Sequence, residues 1–361
     1  MSGPMISASD LPRLLERLRA PRPVPVCLME VCGTHTMSIA RSGIRQLLPK
    51  DVRLISGPGC PVCVTPAGAI DGILALSQQK DVLIATYGDL VRVPGSRPGD
   101  TLAIRRARGA RVRVVFSPMD ALELAAADPH TQVVFLGVGF ETTAPGTALA
   151  VREACRRGIG NFSVFSLLRR VEPALRSLAE SPDFAVDGLL CPGHVAVILG
   201  EDGFRFLPEE LRLPAVISGF EPEDILLSAA LLLEQIRSGQ PRLQNTYRRA
   251  VRPHGNEAAL RIMDAVLEPA DVLWRGLGLI PRSGLAIRPE YAAADAAKRF
   301  GLDQNLAGGP SACRCGEVIR GVLAPEGCPL FGRACVPEDP VGPCMVSGEG
   351  ACAAAWNYRD L

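Results

Sequence analysis

One pattern recurs eight times between residues 26 and 218: a short apolar run of β type, a loop rich in Gly, Pro, Cys or Thr, then a helical stretch. The runs are 26–31, 53–56, 81–86, 111–116, 132–138, 161–165, 187–190 and 215–218. Continuous apolar strands alternating with helices predict a parallel sheet covered on both faces. Eight strands suffice for one large sheet or two smaller ones. We read the chain as α/β, with two similar parallel-sheet α/β domains around a cleft. The division falls near Ser117–Pro118, giving residues 1–117 and 118–240. An amphipathic helix from Leu11 to Leu18 and a proline-rich link at 21–25 precede the first strand. After about residue 240 the pattern stops, and from Gly308 the chain reads as glycine-rich loop holding six cysteines. Residues 241–361 are therefore read as a third, metal-organised domain.

The loops leaving the carboxyl ends of parallel strands lie along one edge of the sheet, where ligands bind. Cys32 and His35 follow the first strand, and Cys60 and Cys63 the second. Glu141, Thr142 and Thr143 follow the fifth, Cys191 and His194 the seventh, and Glu221 the eighth. Residues far apart in the chain are thus expected on a single rim, or in a cleft between two rims.

The chain has 361 residues and 12 cysteines. So many thiols would suit a secreted disulfide scaffold, but this length builds a core without staples, and the opening MSGPMISASDLPRLLERLRA holds no apolar signal core. The expectation is a cytoplasmic protein whose thiols do metal or redox chemistry. Lys and Arg total 39 against 38 Asp and Glu, a net charge of +1 that offers no global field to nucleic acid or an anionic membrane. The longest apolar stretch, Ile225 to Leu233, falls short of the ~20 residues a bilayer requires and reads as a buried helix. Arg105, Arg106, Arg108, Arg111 and Arg113 read as a solvated helix-to-strand connection.

Cys32-Gly33-Thr34-His35-Thr36 sets a thiol and an imidazole in a turn before a helix over about 37–48. A helix N-terminus and a neighbouring imidazolium both favour a thiolate, so Cys32 is a candidate nucleophile or soft-metal ligand; a buried thiol beside a capping His is the alternative. Gly57-Pro58-Gly59-Cys60-Pro61-Val62-Cys63 has the C-x-x-C spacing of a reversible disulfide or half a metal site. The segment 137–145 lacks the endings of a P-loop or dinucleotide fingerprint, and reads as Glu141, Thr142 and Thr143 offered to the rim. In Cys191-Pro192-Gly193-His194, Cys191 reads as a core thiol and His194 as a cap. Cys27 and Cys155 read as core, and His130 and His254 as surface.

The tail carries Cys313, Cys315, Cys328, Cys335, Cys344 and Cys352 with little apolar sequence of its own, so a metal is expected to supply folding energy. Four thiolates fit tetrahedral zinc or a [4Fe–4S] cube. The paired C-x-x-C knuckles of a zinc ribbon are missing, and the wide, unequal spacing favours a cluster. Spacing does not choose four of the six.

Taken together, EVCGTHT, SGPGCPVCVTP, GFETTAP, CPGHV, SGFEP and the Cys-rich tail resemble the HypD family of [NiFe]-hydrogenase maturation factors, in order and from about Val26 to the C-terminus. The resemblance implies an assembly scaffold with redox activity rather than a conventional turnover enzyme. It implies a small partner, HypC, with which the Fe(CN)2CO group is assembled, and HypE, working with HypF, as cyanide donor. Cys32 is similar to the family's iron-binding thiolate, with His35 beside it, and Cys60 and Cys63 match its redox-active or iron-associated pair. For the [4Fe–4S] cluster the reading is Cys313, Cys328, Cys335 and Cys352, with Cys315 and Cys344 as alternates. Glu141, Thr142, Thr143 and His194 match positions lining the cleft. Gly348 stands where the resemblance leads us to expect a second serine. A monomer with transient protein partners is expected. Two other readings are an iron–sulfur-dependent thiol–disulfide oxidoreductase acting on a protein disulfide, and a zinc-stabilised binding module.

Overall fold

The computed structural model describes residues 11–21 and 24–359; residues 22 and 23 of the proline-rich link and 1–10 of the opening segment lie outside them. Strands β1 (Val26–Glu30), β2 (Val52–Ser56), β3 (Val82–Thr86), β4 (Val112–Val114), β5 (Gln132–Gly139), β6 (Phe162–Leu168), β7 (Gly188–Pro192) and β8 (Ala215–Ser218) occupy the eight expected runs. Their continuous apolar character follows from burial on both faces: every residue of β6, β7 and β8 is buried. A short β9 (Leu243–Asn245) and an antiparallel hairpin, β10 (Leu267–Trp274) and β11 (Gly278–Ile287), follow.

The strands form two parallel sheets, ordered β2-β1-β7-β8-β9 and β4-β3-β5-β6. The α/β class, with two parallel-sheet units and a Cys-rich C-terminal region, is as expected. The boundaries at 117/118 and 240/241 do not match the sheets. The chain lays down β1 and β2, crosses to build all four strands of the second sheet, and returns to complete the first with β7, β8 and β9. Apolar runs identify strands but not their partners. Ser117 is the N-cap of the helix Pro118–Ala127 inside the second sheet's unit; its side chain accepts from the Asp120 N–H. The hairpin β10–β11 also belongs beside the second sheet: Ser166 Oγ donates to the Leu285 carbonyl, and Arg170 N to that of Ser283.

One apolar core joins the parts. It takes Met29 and Leu189 from the first sheet, Val134 and Leu136 from the second, and Cys315, Ile319 and Cys344 from the tail. The expected helix over 37–48 is two helices, Gly33–Arg41 and Ile44–Leu47, broken at Gly43 in the left-handed region. Ile225 to Leu233 lies within the helix Pro222–Ser238, and among the described residues no helix is long and apolar enough to cross a membrane. Arg105 pairs with Asp100, while Arg106, Arg108, Arg111 and Arg113 are exposed, as a solvated connection requires.

Candidate functional site

Loops from both sheets meet at a cleft of about 410 Å³. Cys32 and Thr34 enter it after β1, Tyr87 and Asp89 after β3, Phe116 after β4, Thr142 and Thr143 after β5, and His194 after β7. This is the convergence that the strand-end argument predicts.

Cys32 is the N-cap of the helix Gly33–Arg41 and is buried. Of the two readings of Cys32, its surroundings favour the buried thiol beside a histidine that meets a backbone carbonyl over the resting thiolate. Burial pushes the thiol up to about 12, and the nearby Glu349 carboxylate adds to the rise. The Thr34 and His35 N–H groups at the helix start act the other way and lose. His35 provides no imidazolium either, because full burial pushes it down to about 4. Its Nε2 lies 2.8 Å from the Gly219 carbonyl. Cys32 is thus a neutral thiol that a metal would have to deprotonate on binding.

The backbone around Cys32 is fixed from three directions. Glu30, buried at the end of β1, accepts from Cys32 N and from Thr36 Oγ1. Gly33 N donates to the Gly59 carbonyl, so the CGTHT and GPGCPVC turns are hydrogen-bonded together. A Cβ at Gly59 would stand 2.3 Å from Cys32 N, so only glycine permits this approach. From the tail, Glu349 accepts from Thr34 Oγ1 at 2.9 Å, and Ser347 Oγ donates to Asp89 at 2.8 Å. Phe220, from the SGFEP turn, lies between the rings of His35 and His194 at 4.7 and 4.0 Å.

Other expectations need correction. Glu141 does not reach the rim. It is buried, accepts from Val171 N at the start of the helix Val171–Ala179, and burial pushes its carboxyl up to about 7. Cys60 and Cys63 form a disulfide, and it faces away from the cleft, into a second small cavity shared with Thr36, Glu349 and Cys344. His194 is exposed to the cleft and stacks on Phe220 rather than capping a carbonyl. Cys155 is exposed and Cys27 half-buried, so neither is a core thiol, whereas Cys191 is fully buried. Glu30, Asp89, Phe116 and Glu349 were missed. Asp89 and Phe116 follow strands three and four, where the same strand-end argument points, and Glu30 is the one charge closing the apolar run of β1.

All six tail thiols line one small chamber with Val318, Leu330, Phe331 and Met345. Cys315 lies in hydrogen-bonding contact with both Cys313 and Cys344, which pulls it down and pushes its two neighbours up; Arg275 lowers it further. Cys335 Sγ accepts from Val341 N. Among the described residues no three His, Cys, Asp or Glu side chains close on one point as a single ion would need. Six thiols lining one chamber are the donor chemistry that a thiolate-bound metal group uses. Cys313, Cys328, Cys335 and Cys352 are brought together, but Cys315 and Cys344 stand with them. Cys344 also lines the cavity of the Cys60–Cys63 disulfide. A Cβ at Gly348 would meet nothing within 4 Å, so its difference from serine is sterically silent.

A family model described as "HypD: Hydrogenase formation hypA family" matches residues 9–359. The chain belongs to the HypD family. The hydrogenase maturation factor HypD of Rhizobium leguminosarum bv. viciae is 46% identical over 337 residues, covering 91% of this chain and 87% of that protein. HypD of Escherichia coli K12 is 44% identical over 338 residues, 93% of this chain and 90% of the other. HypD of Rhodobacter capsulatus is 43% identical over 357 residues, 97% and 94% respectively. Membership in this family makes the chain a hydrogenase maturation factor.

Proposed function

We propose that this HypD protein is the scaffold on which the Fe(CN)2CO group of [NiFe]-hydrogenases is assembled, together with the small partner HypC, and with HypE and HypF delivering cyanide. The observation that carries the proposal is the placement of Cys32 in the cleft, in a turn hydrogen-bonded to the disulfide loop. Its Sγ is the ligand offered to the iron substrate, and a soft thiolate suits a low-spin iron holding diatomic ligands. The neutral thiol must lose its proton as iron binds, so iron loading should release acid. Thr142, Thr143 and His194 line the same cleft as hydrogen-bonding groups for the ligands or their precursors. His35 and Glu30 position the Cys32 turn.

The tail would hold a [4Fe–4S] cluster through four of its six thiols, and when bound that cluster supplies electrons one at a time. Opening the Cys60–Cys63 disulfide takes two electrons and two protons and yields two thiols. Cys344 lines both the disulfide cavity and the thiol chamber, which supports a path between them. The rival reading, turnover of a protein disulfide, is less well supported: Cys60 is 5% exposed and Cys63 2%, leaving no room for a bulky partner disulfide.

The test is Cys32→Ala, purified anaerobically with HypC and examined by infrared spectroscopy. Loss of the cyanide and CO bands with the tail's iron retained is the expected result. Unchanged bands would remove the anchoring role.

A further inference from the structure

The tip of the hairpin β10–β11 touches both thiol regions. Arg275 N donates to the Val64 carbonyl at 2.8 Å, directly after Cys63. Gly276, in the left-handed region, packs so closely on the tail that a Cβ there would lie 2.3 Å from the Gly316 Cα. Arg320 Nη1 donates to the Gly276 carbonyl at 3.1 Å, closing the contact from the tail side. The Arg275 side chain reaches Cys315, yet its Nη1 is buried without a hydrogen-bond partner. Arg320 Nε beside it is likewise buried and unpartnered. Both side chains are only partly buried, but a guanidinium N–H buried without an acceptor costs free energy that a nearby acceptor would recover. Thiolates around an oxidised iron–sulfur core leave a net negative charge, and an added electron deepens it. Hydrogen bonds to the sulfurs and nearby charge set the potential of such a group.

We propose that Arg275 is the counter-charge of the tail's iron–sulfur group, favouring its reduced state, while its backbone ties that group to the Cys60–Cys63 loop. This rests on the cluster reading above. The redox step concerned is the uptake of one electron from a low-potential donor, with no bond made or broken.

The test uses the full chain as wild type, Arg275→Lys and Arg275→Met, all prepared anaerobically. Iron, acid-labile sulfide and thermal unfolding are measured, and the electron paramagnetic signal is then titrated against potential. Wild type and Arg275→Lys should hold equal iron and sulfide. In Arg275→Met, reduction should be at least tenfold less favourable, a midpoint lower by about 59 mV for one electron. Equal midpoints in wild type and Arg275→Met would overturn the proposal. If Arg275→Met fails to hold the group, full loading of Arg275→Lys supports the charge role, and loss in Arg275→Lys as well overturns it. Wild type without iron and sulfide would overturn the cluster reading first, and this proposal with it.

Discussion

Cys32, Cys60 and Cys63 stand on turns that leave strands β1 and β2, whereas the six tail thiols stand on loops joined by helices as short as Cys315–Ile319, Pro343–Val346 and Ala351–Asn357. Helices of that length have little stability of their own. The strand-end thiols therefore inherit their geometry from a sheet that folds by burying apolar surface. The tail thiols depend on packing against that sheet and on whatever they hold between them. On the proposed function, one region would present a prepared site to a passing substrate and the other would be organised by a resident group.

Removing the metal group proposed for the tail is the strongest way to break this contrast. Chelation under reducing conditions, or Cys328→Ser with Cys335→Ser, should raise hydrogen exchange across 313–357 towards that of an open loop while β5 and β6 stay protected. Equal protection with and without metal would show that the tail folds on packing alone.

A smaller effect tests the electrostatic cost borne by the sheet region. Glu141 has its carboxyl raised from 4.5 to about 7 by burial, so the folded protein keeps a proton that the unfolded chain releases. That contribution to stability is fully present below about pH 4.5 and is lost as pH rises through 7. The loss is about 3 kcal/mol. Glu141→Gln should escape it, gaining on wild type in denaturant unfolding between about pH 5 and pH 8. A difference that stays constant with pH would mean the carboxyl ionises normally.

The smallest effects come from a pair of glycines. Gly59→Ala should cost ~1–3 kcal/mol, because its Cβ must displace the Cys32 backbone. Gly348→Ser, in open space on the tail, should change stability by less than about 0.5 kcal/mol. Similar costs at both positions would erase the distinction between a packed turn and a permissive one.

Much of the architecture was legible because local chemistry dictates it. The eight apolar strands show plainly where both faces are covered, and the strand-end position of Cys32, Cys60, Thr142 and His194 follows from parallel topology. What was hidden depends on long-range partners. Nothing in the run at 26–31 says that β1 pairs with β7 across the whole second sheet. The β10–β11 hairpin was missed because Pro269, Asp271, Pro281 and Arg282 interrupt its alternation, and packing against β6 overrides them. The Cys32 thiolate was one of two readings, suggested by a helix start and a histidine close in sequence. The opposing causes, burial and a carboxylate from Glu349, arrive from the far end of the chain.

The crossing between sheets has a consequence for synthesis. The second sheet is contiguous in the chain and can close while the ribosome is still at work. The first cannot, because β1 waits for β7. Roughly 130 residues separate β2 from β7, which at a synthesis rate of about 5–20 residues per second is a delay of ~6–26 s. Throughout that interval Cys32, Cys60 and Cys63 are already made but have neither the neighbouring strand nor the tail that later bury them. The nascent chain thus exposes Cys32, Cys60 and Cys63 before it can shelter them.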